Sequence, residues 1–160
     1  MNLRIALASD LSGFPLKQAL VTHLREKPEI EVLDFGIESE DKPKPYVEQA
    51  PRVARAIQEG RADRGILICG TGQGMAIVAN KHRGIYAVVA DSVFAGERGK
   101  IINNANVLTL GGWITAPFLG IEIVEAWLAV TFTEKMEFKK DFLTRAFAGV
   151  EAIEAENFKS

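Results

Sequence analysis

Cys69 is the only cysteine in the chain, and its neighbours are the residues that make a thiol useful. It follows the apolar run Gly65-Ile66-Leu67-Ile68 and opens the stretch Cys69-Gly70-Thr71-Gly72-Gln73-Gly74. The residues from Met75 to Lys81 read as a helix. A buried strand, a glycine-rich turn and a helix start together make a device for holding anions, because backbone N–H groups converge there. The same helix terminus favours the thiolate form of a cysteine at its mouth. A phosphate loop would end in Gly-Lys-Ser/Thr, but Met75 follows Gly74. A dinucleotide fingerprint belongs after the first strand, where this chain has Asp10-Leu11-Ser12-Gly13. What the residues support is an oxyanion cradle beside a thiol and a hydroxyl. A Cys69 thiolate can remove a carbon-bound proton next to a carbonyl, and Gly70, Gly72 and Gly74 can present amides to the resulting enediolate. Thr71 can pass a proton between two adjacent oxygens. A lone cysteine at a strand end is also a common small buried hydrophobe, so the residues by themselves leave a structural thiol open.

The elements that must position these groups alternate along the chain. Strand patterns occupy Arg4 to Ser9, Glu31 to Phe35, Gly65 to Cys69, Ile85 to Ala90 and Val107 to Leu110. Helical spacing occupies Phe14 to Arg25, Tyr46 to Glu59, Met75 to Lys81, Val93 to Ile102 and Pro117 to Leu128. The polar stretch from Gly36 to Pro45 is a loop. Five short apolar strands separated by helices predict a parallel sheet covered on both faces. The expected fold is a Rossmann-like, doubly wound three-layer α/β/α sandwich with a C-terminal helical extension. Ligands of such sheets bind beyond the carboxyl ends of the strands, which places Asp10, Cys69 and Asp91 on one rim. Asp10 is also a favoured helix cap, and Asp91 suits either the rim or a cap of the following helix. Asn80 and Lys81 read as C-terminal helix caps and His82 as exposed loop. The tail from Lys135 to Ser160 is either a packing helix or an arm crossing to a neighbouring subunit.

With 160 residues, 48% of them apolar and 25% charged, the chain suits one domain with its own core. Its net charge of −2 gives no reason to expect a nucleic-acid or membrane partner. One cysteine excludes an internal disulfide framework, and two histidines leave little for a histidine-rich metal site. Met1-Asn2-Leu3-Arg4 leads directly into a strand, without a signal-peptide layout. No apolar run is long enough for a membrane span. The expectation is a cytoplasmic protein with a reduced thiol.

Over roughly residues 3 to 132 the sequence resembles the family of ribose 5-phosphate isomerase B and galactose 6-phosphate isomerase. The match is carried by Ser9-Asp10, Gly13 and Leu16-Lys17, and by Ala62-Asp63-Arg64-Gly65-Ile66-Leu67-Ile68-Cys69-Gly70-Thr71-Gly72. It continues through Gly74, Ala79-Asn80-Lys81, Gly84-Ile85, Asn103, Ala105-Asn106-Val107-Leu108 and Gly111. The resemblance implies metal-free aldose–ketose isomerisation through a cis-enediol, without a cofactor, by a homodimer or homotetramer with shared active sites. It makes Cys69 the base that moves a proton between C1 and C2, with Thr71 assisting at the oxygens. Leu11, Gly70, Gly72, Gln73, Gly74, Trp113, Lys139 and Lys140 join Asp10 as candidate substrate contacts, and Asn103 is expected in the wall of the neighbour's site.

The departures from the family pattern bear on the substrate. Leu11 stands where the family usually has a histidine, and Ile102 stands at the ring-opening histidine. Trp113 replaces an arginine that binds phosphate. Met136 replaces the first arginine of a C-terminal basic stretch, whose last two align with Lys139 and Lys140. A short ketose phosphate such as D-erythrulose 4-phosphate cannot close a furanose, so it needs no ring-opening acid. The lost arginines also suit a substrate that has no phosphate, or that carries a carboxylate or deoxy group, since lysine does not reproduce arginine's two-point grip. Two further readings are a sugar-binding module without turnover and a non-catalytic partner subunit.

Overall fold

The computed structural model describes residues 2–159. Its elements run β1 (Leu3–Ser9), α1 (Phe14–Arg25), β2 (Ile30–Asp34), α2 (Tyr46–Gln58), β3 (Arg64–Cys69), α3 (Gln73–Ala79), β4 (Ala87–Val89), α4 (Val93–Asn103), β5 (Val107–Gly111), α5 (Pro117–Leu128) and α6 (Lys140–Asn157). The strands form one parallel sheet in the order β2-β1-β3-β5-β4. This is the doubly wound α/β architecture with a C-terminal helix that the alternation of strands and helices predicts. The chain leaves β1 toward β2 on one side and returns to place β3 on the other, so the order reverses between β1 and β3. The loops after those two strands part there, and that crevice is where such sheets bind ligands.

Side chains alternate across each strand. Ile5, Leu7, Ile66, Ile68, Leu108 and Leu110 pack with α1 and α5 through Leu16, Leu20, Ile123 and Trp127. Ala6, Ala8, Leu67 and Cys69 point the other way, toward Ala50 and Val53 of α2 and Met75 of α3. Cys69 therefore lies on the α2/α3 face because of its parity in β3.

Several local readings change. The third helix begins at Gln73, two residues before Met75, and β4 is only three residues long. Asn80 is the C-terminal cap of α3, as expected, through its backbone N–H to the Ala76 carbonyl at 3.0 Å, and its side chain takes a further partner. It donates to the Ala87 carbonyl at 2.9 Å and accepts the Ala87 N–H at 2.8 Å, acting as a partner for the start of the edge strand β4. His82, expected in exposed loop, is half-buried with Nδ1 3.0 Å from the Val78 carbonyl, so its ring packs at the end of α3 beside the Asn80 cap. The cap of α4 is Ser92, whose Oγ accepts the Ala95 N–H at 3.2 Å. Asp91 is exposed at the end of β4, two strands away from β3, and is absent from the crevice.

The tail forms α6, which touches its own chain lightly. Leu143 is its one buried residue. Phe147 stacks edge-on with Tyr86, and Glu154 accepts the Gly84 N–H and the Tyr86 hydroxyl. Among the described residues no helix is long and apolar enough to cross a membrane.

Lys17 is fully buried in α1. Its Nζ donates to both Asp34 oxygens, at 2.8 and 2.9 Å, and to the Ile37 carbonyl at 2.9 Å. It thereby ties the end of β2 to the loop that leads into α2. Lys17→Ala leaves a cavity at a fully buried side chain and removes three hydrogen bonds, while Asp34 is exposed and stays solvated, so the unfolding free energy should fall by about 3 kcal/mol in urea titrations.

Candidate active site

Three loops meet at the crevice, and their backbones touch. Beyond β5, the Gly112 N–H donates to the Cys69 carbonyl at 2.7 Å and the Trp113 N–H to the Gly70 carbonyl at 3.0 Å. The Asp10 N–H donates to the Ile68 carbonyl at 3.2 Å. Gly112 sits against the Ser12 carbonyl and Gly13 against that of Ile68, with no room for a side chain at either position. Glycine is required because backbone, not side chain, fills the space.

The resulting cleft has a volume of about 370 Å³. Cys69, Gly70, Thr71 and Gly74 line it from the β3–α3 turn, and Asp10 and Ser12 from the β1–α1 loop. Tyr46 and Trp113 supply its aromatic walls. Cys69 is 5% exposed, a sulfur sunk in the floor but open to the cavity. The Gly72 N–H donates to Sγ at 3.1 Å. That bond needs Gly72 at φ +79°, a conformation natural to glycine, with the Leu110 backbone 3.0 Å from where a Cβ would stand. Gly72 thus serves the sulfur, where the sequence suggested an amide for substrate oxygen. The α3 helix that follows has seven residues, so the turn's amides matter more here than a long helix dipole.

Asp10 is half-buried, and its Oδ1 accepts the Gly13 N–H at 3.1 Å. Asp10 does not cap α1, whose N-cap is Gly13 without a side-chain bond; the carboxylate closes the turn before the helix and lines the cleft. Burial pushes the Asp10 carboxyl above its ordinary value of 3.8, against the opposing pull of the Gly13 and Ser12 amides.

The remaining sequence candidates divide. Trp113 lies along the cleft as expected. Leu11 and Gln73 are exposed and line no part of it. Gln73 contributes its amide, 3.4 Å from Thr71 Oγ1. Ile102 and Asn103 line a separate groove of about 420 Å³ between α4, β4 and α6. Lys139 and Lys140 border a third concavity at the start of α6, with Arg145 and Phe142. Within one chain, then, Asn103, Lys139 and Lys140 do not join Cys69. Sequence reasoning missed Tyr46 and Ser12. The signal for Tyr46 was its place at the first residue of a helix, straight after a loop on the strand-end rim. Its ring packs 2.9 Å from where a Cβ on Gly74 would be. Among the described residues, no group of three or more histidine, cysteine or acidic side chains is arranged to hold a metal.

Ionising Asp10 costs folding stability above its unfolded value of 3.8 and nothing below it, because the folded carboxyl releases its proton at higher pH. Asp10→Asn keeps an acceptor for Gly13. Its melting temperature at pH 7 should match or exceed wild type, the two should converge as pH falls through 3.8, and kcat/KM should drop about tenfold.

Comparison with known proteins agrees with this geometry. The sequence profile described as Ribose/Galactose Isomerase matches residues 5–142. The chain is 45% identical to 4-deoxy-4-sulfo-D-erythrose isomerase of Clostridium sp. (strain MSTE9), over 98% of this chain and 99% of that protein. It is 38% identical to D-erythrulose-4-phosphate isomerase of Pectobacterium atrosepticum, over 81% of this chain and 85% of that one. The crystal structure of ribose-5-phosphate isomerase B from Mycoplasma genitalium, solved with bound ribulose 5-phosphate, superposes with a TM-score of 0.88 at 31% identity, covering 98% of this chain and 99% of that one. With the fold and these matches in agreement, the chain belongs to the ribose/galactose isomerase family and is an isomerase of that family.

Proposed function

We propose that this chain interconverts an acyclic four-carbon ketose and aldose with an anion on C4, the pair being 4-deoxy-4-sulfo-D-erythrulose and 4-deoxy-4-sulfo-D-erythrose. The observation that carries this reading is the charge of the cleft. Among the described residues that line it, Asp10 is the only charged one, and no lysine or arginine is present. A sulfonate carries a single negative charge, whereas a phosphate monoester carries close to two near neutral pH. A lining without a cation suits the monoanion better than the dianion. A sugar with sulfur bonded directly to C4 also has no C4 hydroxyl, so neither form can close a furanose. Ile102, which has no proton to give, is then no handicap. Similarity to the sulfo-erythrose isomerase runs over 158 residues and includes the tail, which supports the same choice.

The chemistry follows from the residues at the cleft. The Cys69 thiolate takes a proton from C1 of the ketose. The electron pair becomes the C1–C2 double bond, and negative charge gathers on O2 facing the amides of the Gly70–Gly74 turn. Thr71 carries the O1 proton across to O2. The Cys69 thiol then returns its proton to C2, leaving an aldehyde at C1 and a regenerated thiolate. Every step is a proton transfer among these groups, so the reading calls for no cofactor or metal.

The same reading makes the protein a homo-oligomer of single-domain chains (residues 1–160), with residues 135–160 packed on a neighbour. The exposed Phe142, Val150 and Ile153 of α6, with Phe138 in the turn before it, support this, because they leave an apolar side without cover. Asn103, Lys139 and Lys140 would then reach the cleft of the adjoining subunit. Those lysines also favour a second reading, D-erythrulose 4-phosphate, because two cations from a neighbour would suit a dianion.

Two measurements test these statements. Rates on both four-carbon ketoses and on ribulose 5-phosphate should rank the sulfonate first by about tenfold or more in kcat/KM, with Cys69→Ala losing about a thousandfold in C1 proton exchange followed by NMR in heavy water. Ribulose 5-phosphate as the fastest substrate would remove the four-carbon assignment. Mixing inactive Cys69→Ala chains with chains carrying Lys139→Ala and Lys140→Ala should restore part of the activity if sites are shared. No recovery after confirmed subunit exchange would assign each site to one chain.

A further inference from the structure

We propose that Trp113 is the specificity-determining residue that limits the substrate to four carbons, its indole closing the cleft where a fifth carbon would extend. The proposal rests on the four-carbon reading above and assigns it a cause.

Three features of Trp113 carry the inference. Its root is fixed, because the Trp113 N–H holds the Gly70 carbonyl at 3.0 Å and the preceding Gly112 N–H holds that of Cys69 at 2.7 Å. Its six-membered ring lies over Gly70. Cε3, Cδ2 and Cζ3 all stand 2.7–2.8 Å from where a side chain on residue 70 would begin. The ring nonetheless remains 75% exposed, beside the same cavity as the sulfur. A large aromatic surface is braced from behind by backbone and left open toward the ligand. An indole so placed has one outstanding contact to make, with whatever occupies the cleft.

The reacting carbons fix the direction in which the substrate points. C1 and C2 must lie at Cys69 and Thr71, on the floor. C3 and C4 then run toward the rim, where the ring face meets carbon-bound hydrogens and excludes water. A fifth carbon with its phosphate has to displace the ring from Gly70 into solvent. The indole also gives the terminal group no cation, so charge density there is disfavoured on the same side.

The tests use the whole protein. Trp113→Ala should lose about tenfold in kcat/KM on the four-carbon sulfonate and gain about tenfold on ribulose 5-phosphate, moving the ratio by about a hundredfold, while Trp113→Phe should keep most of the wild-type ratio. An equal change on both substrates overturns the proposal. Fluorescence supplies a readout independent of turnover. The chain has two tryptophans, and Trp127 is fully buried in the α1/α5 face. In Cys69→Ala protein, the four-carbon sulfonate should change the emission of Trp113, and Trp113→Phe in the same background should abolish that change. An unchanged spectrum at a ligand concentration that calorimetry shows to be saturating overturns the contact. The two levels separate through wild type. Wild-type preference for ribulose 5-phosphate removes the four-carbon reading and with it the role of Trp113. Wild-type preference for four carbons with an unaltered ratio in Trp113→Ala removes Trp113 alone.

Discussion

One hydrogen bond organises the site: the Gly72 amide to the Cys69 sulfur, at 3.1 Å. It exists only because residue 72 takes a positive φ at the turn out of β3, and because the Leu110 backbone lies too close for a Cβ there. An amide aimed at sulfur meets the charge a thiolate carries without any reorganisation of solvent. It also fixes the side chain in one orientation, with the sulfur at the floor of the cleft. The backbone bonds from Gly112 and Trp113 hold the same turn from the other side. The sulfur's position is thus set by main chain on two flanks.

The sheet explains why this arrangement falls where it does. Strand order reverses between β1 and β3, and the loops that leave them diverge. Asp10 ends one side of that crevice and Cys69 the other, close enough for Asp10 N–H to bond the Ile68 carbonyl. The buried Lys17, paired with the Asp34 carboxylate and bonded to the Ile37 carbonyl, secures the loop after β2. That loop delivers Tyr46 to the cleft. A residue far from the sulfur in sequence therefore depends on a lysine buried in the first helix.

What the sequence reveals follows from the range of the interactions. Strand and helix patterns come from local periodicity, and Phe14–Arg25 and Pro117–Leu128 appear as the spacing indicates. The strand-turn-helix around Cys69 is legible because its residues are adjacent in the chain. The cap at Asn80 is legible too, but its side-chain partner Ala87 is not, since it is defined by an edge strand whose start cannot be read from hydrophobicity. Ser92 rather than Asp91 caps α4 because the turn places the serine oxygen, not the carboxylate, over the Ala95 amide. Tyr46 required knowing that the β2–α2 loop returns to the crevice. The basic residues near the start of α6 are legible as a charged run, but their distance from Cys69 within one chain is a fact of tertiary structure.

The balance of charge ties the local chemistry to the unused surface. The cleft offers Asp10 and no cation among its described lining, and burial already disfavours ionisation of that carboxyl. An anionic substrate entering such a site meets backbone dipoles, hydroxyls and two aromatic faces. Dipoles fixed by the fold stabilise charge in a partly dry cleft far better than the same dipoles would in water. They do so without the long-range pull that a guanidinium exerts on any phosphate. Selectivity between anions then rests on fit at the rim, where the Trp113 and Tyr46 rings stand. The exposed phenylalanines and lysines around the start of α6 form a stretch that has charge to offer and few contacts with the rest of the chain.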